Sequence, residues 1–312
     1  MQENKLSVII PFVQEWPQIV FTVRSIAEEL KGQNFEIIVI DNFCPNEMKQ
    51  QGISNPDRGG VMMEAVASKY EWLKVIKLDN KLSHWQSKNK AVSIASGNIL
   101  FFSDSHCVPG RSSITNGFNF YKKNWKELNG TLHLPVTYQI LENKKLIYKL
   151  VANKEKGDLR YSFTNYKEKV YPYEVPCMST CGMFLHKTYY DKIGGWPELL
   201  GIYGGGENFI NFVMSILGMK KFIMNGEPLY HHGDNRGYSW NYNDMSQNRA
   251  IANYMFGGIE WLDLYINNRK GDIKILKDIK MRVISQCFNQ RTKIKSMQQI
   301  SIEEWIEKWK DK

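Results

Sequence analysis

The chain reads as an α/β protein: a mostly parallel, Rossmann-like central sheet flanked by helices, followed by a helical and basic C-terminal extension. Three observations predict this. Apolar runs of strand length alternate with helix-period segments through the first third of the 312 residues. Two of those runs end in an aspartate, Asp41 and Asp104, where open α/β sheets bind ligands beyond the carboxyl ends of their strands. Between Arg269 and Lys312 twelve Lys or Arg stand against six Asp or Glu, so +6 of the net charge of +9 lies in the tail.

The elements follow in order. Leu6-Ser7-Val8-Ile9-Ile10-Pro11 predicts a buried strand stopped by proline, and Trp16 to Lys31 a helix entered at Pro17 and left at Gly32. Phe35 to Asp41 is the second strand, Met62 to Lys69 a helix, and Trp72 to Leu78 the third strand. Lys88 to Ser96 predicts a helix closed by Gly97, and Ile99 to Ser103 the fourth strand. Strands separated by helices imply right-handed crossovers and parallel pairing. No glycine-rich phosphate loop follows the first strand, which argues against a dinucleotide site or P-loop.

The fourth strand runs into Asp104-Ser105-His106-Cys107. Side chains two apart on an extended segment share a face, so Asp104 and His106 could bind a divalent cation, and carboxylate with imidazole suits Mn²⁺, Mg²⁺ or Zn²⁺. A turn-forming Asp beside a surface His is the competing reading. From Arg111 to Pro176 the pattern loosens into strands and polar loops. Then Cys181-Gly182-Met183-Phe184, Gly194-Gly195-Trp196 and Gly204-Gly205-Gly206-Glu207-Asn208 follow closely. Glycines let backbone approach a ligand, and Glu207 should open a helix over Asn208 to Leu217 with its carboxylate near the positive helix end.

Taken in order, these motifs resemble the nucleotide-sugar glycosyltransferases of the GT-A fold, the polypeptide N-acetylgalactosaminyltransferases and family 2 enzymes above all. The likeness spans roughly Leu6 to Tyr238, and Asp104 to Cys107 and Gly205 to Asn208 are its most specific pieces. It implies Mn²⁺ or Mg²⁺ held by Asp104, His106 and either His231 or His232. Neighbouring histidines on an extended segment point apart, so one reaches the metal, with His231 favoured. It also implies a UDP-sugar donor contacted by Pro11, Glu15, Asp41, Lys90, Asp104, Ser105, Gly182 and Gly206, and by Arg236 and Tyr238 on a closing loop. Glu207 and Asn208 fall at the catalytic positions. Asn208 cannot take a proton where inverting relatives place a carboxylate base, which favours retention with Glu207 positioning sugar or acceptor. A register shift of one would instead make Glu207 the base of an inverting enzyme.

The expected organisation is a GT-A domain over 1–240, with a nucleotide-binding half at 1–110 and an acceptor and sugar half at 111–240, and a helical extension over 241–312. Basic residues from Arg269 to Lys295 alternate with Ile273, Ile275, Leu276, Ile279, Val283, Ile284 and Ile294 at helical spacing, and Trp240, Tyr242, Tyr254, Phe256, Trp261 and Tyr265 precede them. Such a tail suits a macromolecular polyanion, and DNA with hydroxymethylated bases is the acceptor favoured, the target base swung out and held by aromatics. Protein Ser/Thr or an anionic wall polymer are the alternatives. No leader, no membrane-length apolar run and five cysteines, an odd number, suggest a cytoplasmic chain with reduced thiols. A pyrophosphorylase would want a basic, glycine-rich loop where Pro11-Phe12-Val13-Gln14-Glu15 stands. A silent GT-A module should have lost Asp104 or His106.

Overall fold

Leu6 to Val13 are buried without a break, which only a strand covered on both faces allows. This is β1 (Gln2–Phe12) of a computed structural model that describes residues 2–45, 57–80, 82–138, 144–166, 172–232 and 241–310. The chain continues through α1 (Gln18–Glu29), β2 (Phe35–Asp41), α2 (Arg58–Ala67), β3 (Leu73–Lys77), α3 (His84–Ile94), β4 (Gly97–Phe102), β5 (Cys107–Pro109) and α4 (Ser113–Leu128). Five strands follow: β6 (Gly130–His133), β7 (Val136–Thr137), β8 (Lys145–Asn153), β9 (Asp158–Asn165) and β10 (Tyr173–Glu174). After them come β11 (Met183–His186), α5 (Lys187–Ile193), α6 (Gly206–Ile216), β12 (Lys220–Ile223) and β13 (Leu229–His231). The helices α7 (Tyr242–Asn268), α8 (Ile273–Ser296) and α9 (Ile302–Trp309) close the chain.

The main sheet has eight strands in the order β10-β12-β6-β11-β4-β1-β2-β3. Its first four strands pair in parallel, with Val8 opposite both Ile37 and Phe101, as the strand–helix alternation predicted. β11 enters antiparallel between β4 and β6, so the sheet is mixed on that side. A second sheet, β5-β13-β7-β8-β9, takes three of its strands, β7 to β9, from the region that read as loosely organised.

Alternation along the strands divides the interior in two. Val8, Ile10, Val39 and Phe101 face Ile19, Val23 and Ile26 of α1 and Ile114 and Phe118 of α4. Ile9, Ile38, Leu100 and Phe102 face α3, α6 and the C-terminal helices. Tyr254, Phe256, Trp261 and Tyr265 of α7 belong to this second core, at 6% exposure or less. They hold the extension against α6, and are not turned outward as base-holding aromatics would be. On α8, Leu276, Ile279, Val283 and Ile294 are buried as the periodicity predicts, whereas Ile273 and Ile275 are exposed. No helix among the described residues is long and apolar enough to cross a membrane.

Helix starts were the weakest expectation. α3 begins at His84, not Lys88, because Ser83 and Gln86 form a capping box, each side chain meeting the other's backbone N–H. Gly97 does not close this helix; it opens β4, its N–H donating to Ser7 Oγ. α2 begins at Arg58, capped by Asp57, whose carboxylate accepts from Gly60 N.

Glu36 fastens the parallel strands. Its buried carboxylate accepts from Ser7 Oγ on β1 (2.6 Å), Lys74 Nζ on β3 (2.6 Å) and the backbone and hydroxyl of Ser96 before β4 (2.7 and 2.8 Å). Burial alone would raise its pKa, but Lys74 and the serine donors pull it down to about 2. A depressed carboxyl contributes stability above its unfolded value and loses it as pH falls through about 2. Glu36→Ala, which strands these donors, should therefore cost about 3 kcal/mol in urea denaturation at neutral pH. The gap to wild type should narrow below about pH 4; a gap that stays constant to acid would show that the carboxylate's charge is not what binds the strands.

Candidate active site

The site forms where β4 ends. Ser103 still donates to Ile9 O (3.1 Å) as the last sheet contact, and then the chain turns out through Asp104, Ser105 and His106 into β5. Thr22 of α1 clasps this turn: its hydroxyl donates to Ser105 O (2.9 Å) and accepts from Cys107 N (3.0 Å). β5 pairs antiparallel with β13, placing His231 opposite Cys107, while His232 N donates to His106 O (2.8 Å).

Three ligand atoms converge as a result. His106 Nε2 and His231 Nε2 stand 3.1 Å apart, and His231 Nε2 lies 3.4 Å from Asp104 Oδ2. All three donor atoms fall within 4.8 Å of one another. A dication with bonds of about 2.1 Å separates neighbouring ligands by about 3 Å, so this carboxylate and two imidazoles fit a divalent cation. Of the two candidate histidines it is His231, 8% exposed, that joins the cluster, while His232 is exposed. Burial alone would raise the Asp104 pKa, but the His231 contact and the charges of Lys88 and His84 hold it well below the usual carboxylate range. An anionic Asp104 is what a cation site requires.

A cavity of about 460 Å³ opens over these residues, within the usual range for small-molecule sites. Pro11, Glu15, Ser105 and His84 line it on the side of the parallel strands, and Gly204, Gly205 and Glu207 on the side of α6. Burial raises Glu15 to about 7, against the lowering effect of its contact with Val13 N–H. Glu207 lies in the first turn of α6 but does not cap it. Its carboxylate reaches across to Thr180 N (3.2 Å), the Thr180 and Ser179 hydroxyls (3.4 and 3.3 Å) and the Tyr161 hydroxyl. Gly206 is required for packing, since a Cβ there would run into the Trp85 ring.

Opposite Glu207 the second sheet presents an aromatic wall. Tyr148 and Tyr161 stack at 4.3 Å, Tyr138 packs edge-on to Phe163 at 5.3 Å, and the Tyr138 ring lies 4.6 Å from His231. Phe163 is 53% exposed at the mouth. Sequence reading passed over this wall, although Tyr161 and Phe163, two apart on one strand, signal a shared face.

Several expected residues stand elsewhere. Lys90 is exposed and does not line the cavity; the inward lysine is Lys88, three residues after the buried Trp85 and so on the same helix face. Lys88 is fully buried, donates to Thr180 Oγ1 (3.0 Å) and lies 5.0 Å from the Trp85 ring. Burial lowers its pKa, while Asp104 and Glu207 act to raise it. Asn208 points into the core, its amide donating to Leu159 O (3.4 Å), and is absent from the cavity lining. Gly182 is a sheet junction, bonded to Phe102 and Leu134, and does not line the cavity. Asp41 lies beneath the cavity floor, and Asn42, clasping both backbone groups of Leu82, lines it instead. Arg236, Tyr238 and Trp240 lie outside the described residues.

The pattern of Glycosyl transferase family 2 matches residues 7–194. A curated glycosyltransferase, GlyG of Streptococcus pneumoniae serotype 4, is 23% identical over 170 residues, 50% of this chain and 52% of its own. Among solved structures, GalNAc-T7 with UDP, GalNAc and Mn²⁺ superposes with a TM-score of 0.65 at 16% identity, covering 92% of this chain and 57% of that one. S. aureus TarS 1–349 in complex with UDP-GlcNAc superposes with a TM-score of 0.52 at 16% identity, covering 97% and 79%. These likenesses establish the GT-A fold. The chain spans about half the length of the curated relative it matches.

Beneath the floor, Asp41 and Asp57 face each other, and burial followed by the Asp57 contact pushes Asp41 up to about 8. The contact between them links the end of β2 to the start of α2. A raised carboxyl contributes stability in full below its unfolded value of about 4 and loses it as pH rises through about 8. Wild type should lose up to about 1.4 kcal/mol per pH unit in that window, read from urea midpoints. Asp41→Asn, whose amide can donate to Asp57 at any pH, should flatten the slope; an unchanged slope would show that the proton is not held there.

Proposed function

We propose that this chain, which belongs to glycosyl transferase family 2, moves a sugar from a UDP-sugar to a hydroxyl of a macromolecular acceptor, in the cytoplasm and with retention at the anomeric carbon. The observation that carries the reading is the Asp104–His106–His231 cluster within 4.8 Å, in the same cavity as Glu207. A catalytically silent module would have no need of such a ligand set. The UDP, UDP-GlcNAc and Mn²⁺ of the structural neighbours support the donor and the metal. Five free cysteines suit a reducing compartment.

Within this reading residues 1–110 hold the nucleotide, 111–240 the sugar and acceptor, and 241–312 the supporting extension. Asp104, His106 and His231 would hold a dication, which would supply charge neutralisation for the departing diphosphate. Glu15 and Ser105 line the nucleotide side, while Glu207 orients a sugar hydroxyl. Support for retention no longer comes from Asn208, which points away from the cavity. It comes from Glu207, whose two oxygens already accept from Tyr161, Ser179 and Thr180, leaving little room for a proton taken from the acceptor. The bond from the anomeric carbon to the β-phosphate oxygen breaks, that to the acceptor oxygen forms on the same face, and the acceptor proton passes to the departing phosphate. Lys88, behind Thr180, acts as a positioning residue between the charges of Asp104 and Glu207.

The acceptor enters past Phe163 and Tyr138. A hydroxymethylated base in DNA suits that wall, because an unstacked base is held by aromatic faces; protein Ser/Thr and anionic wall polymers are the competitors. Purified chain incubated with Mn²⁺ and UDP-sugars, followed by mass spectrometry of hydroxymethylated DNA, peptide and wall-polymer acceptors, separates them. Donor turnover with transfer to none of the three would overturn the macromolecular acceptor.

His106→Ala and His231→Ala should each lower donor turnover about a thousandfold, roughly 4 kcal/mol, and weaken Mn²⁺ binding in calorimetry. Full turnover after chelation would remove the metal from the reading. Proton NMR of the first product should show the donor's anomeric configuration. An inverted product, with Glu207→Gln losing most of kcat at unchanged donor affinity, would make Glu207 a general base instead.

A further inference from the structure

A second cavity lies in the C-terminal extension. α7 is helical from end to end except at Gly258, whose φ of 70° and ψ of −157° kink it against α8. Met245, which lines the first cavity, is thirteen residues earlier, about 20 Å along the helix at 1.5 Å per residue. The groove at the kink has a volume of about 420 Å³ and is lined by Tyr254, Gly258, Ile259, Arg291, Thr292 and Lys295, with Ser296 at its end.

Its chemistry is one-sided. Arg291 Nε and Nη1 are buried with no hydrogen-bond partner. The other end of the fork lies over Gly258, where a Cβ would approach Nη2 to 3.3 Å. Among the described residues no carboxylate lines the groove, and the acids of α7 beyond the kink are engaged elsewhere, Glu260 with Lys154 (3.1 Å) and Asp263 with Lys280. Burial lowers the Arg291 pKa, with only the Tyr254 phenol acting to raise it. Arg291 as a whole is half-buried, but two of its nitrogens are out of water and unfilled, which is costly unless an acceptor sits against them. Lys295, at present donating to Gln298 Oε1 (2.9 Å), and the Thr292 hydroxyl stand one turn or less away along α8.

We propose that this groove binds a phosphate group, gripped by the Arg291 fork and the Lys295 ammonium. A planar guanidinium beside a mobile ammonium and a hydroxyl matches a tetrahedral oxyanion better than a carboxylate, which leaves one cation unused. The same side of α8 exposes Met281 (66%) and Phe288 (57%), and Ile259 (55%) borders the groove. The phosphate can therefore belong to a phosphodiester in solution or to a lipid headgroup whose chains meet those apolar side chains. The inference does not rest on the transfer reaction proposed above.

The test uses the full chain. Inorganic phosphate and a short thymidine oligonucleotide are titrated by calorimetry at constant ionic strength, and sedimentation is run with phosphatidylglycerol and phosphatidylcholine vesicles. Arg291→Gln should weaken phosphate binding at least about tenfold, and Lys295→Gln severalfold, with UDP-sugar hydrolysis unchanged in both. Oligonucleotide binding without sedimentation identifies a soluble phosphodiester; sedimentation with phosphatidylglycerol alone identifies a headgroup. Equal phosphate affinity in wild type and Arg291→Gln, or no binding by wild type, overturns the site. Should Arg291→Gln melt early by circular dichroism, Lys295→Gln decides: wild-type affinity in that variant overturns it equally.

Discussion

The arrangement of this protein turns on the point where β4 leaves the main sheet. Up to Ser103 the chain is held between β1 and β11, and its direction is fixed by backbone bonds on both edges. Beyond it the strand must escape the sheet, and Thr22 ties the escape to α1 while β5 begins a second sheet with β13. One carboxylate and two imidazoles end up together because two sheets share this exit. Asp104 comes from the end of one sheet, His231 from the other, and His106 from the turn between them. Side chains so placed are preorganised by the fold, which spares a bound cation most of the cost of gathering ligands.

Charge at this exit is balanced from beneath. A buried anion at Asp104 and another carboxylate at Glu207 would be hard to hold in an apolar surrounding without a cation nearby. Lys88 supplies one, fully buried among Trp85, Phe102 and Trp196 and reaching toward both through Thr180. The tryptophans explain the glycines. Trp85 leaves no space for a side chain at Gly206, and Asn89 binds the Trp196 backbone on both sides (2.8 and 3.0 Å), which fixes the Gly194–Trp196 turn. Motifs that read as ligand contacts in the sequence thus serve largely to seat the buried Lys88 and the first turn of α6.

The parallel half of the fold and the placing of Asp104 and His106 on one face were legible in the sequence, because both depend on local pattern; His231, from the other sheet, came only with the family resemblance. Strand period, helix period and two side chains on one extended face are visible without knowing what packs where. Lys88 against Lys90 was a matter of helix phase, and it was lost by starting α3 four residues late, past the Ser83–Gln86 capping box. Asn208 and the aromatic wall were not legible for a different reason. Whether a residue in the first turn of α6 faces a cavity or the core depends on β9, fifty residues away, and the second sheet is built from short strands whose partners no local pattern names.

The tail shows the same division between local and tertiary information. Its helical period was evident, yet the aromatics that suggested contact with bases are the ones that α7 buries against α6 and α9; Phe256 lies 5.4 Å from Phe212 and 5.7 Å from Trp305. Some of its positive charge is spoken for as well. Lys280 pairs with Asp263, Arg282 with Asp278 and Lys308 with Glu174. The +6 counted from Arg269 onward therefore overstates what the extension offers to a polyanion, since Asp263 and Glu174, the partners of Lys280 and Lys308, lie outside that count. Arg291 differs from these three in having two nitrogens out of water and no acid beside it, and a cation so placed directs attraction to one place where a charged surface only spreads it.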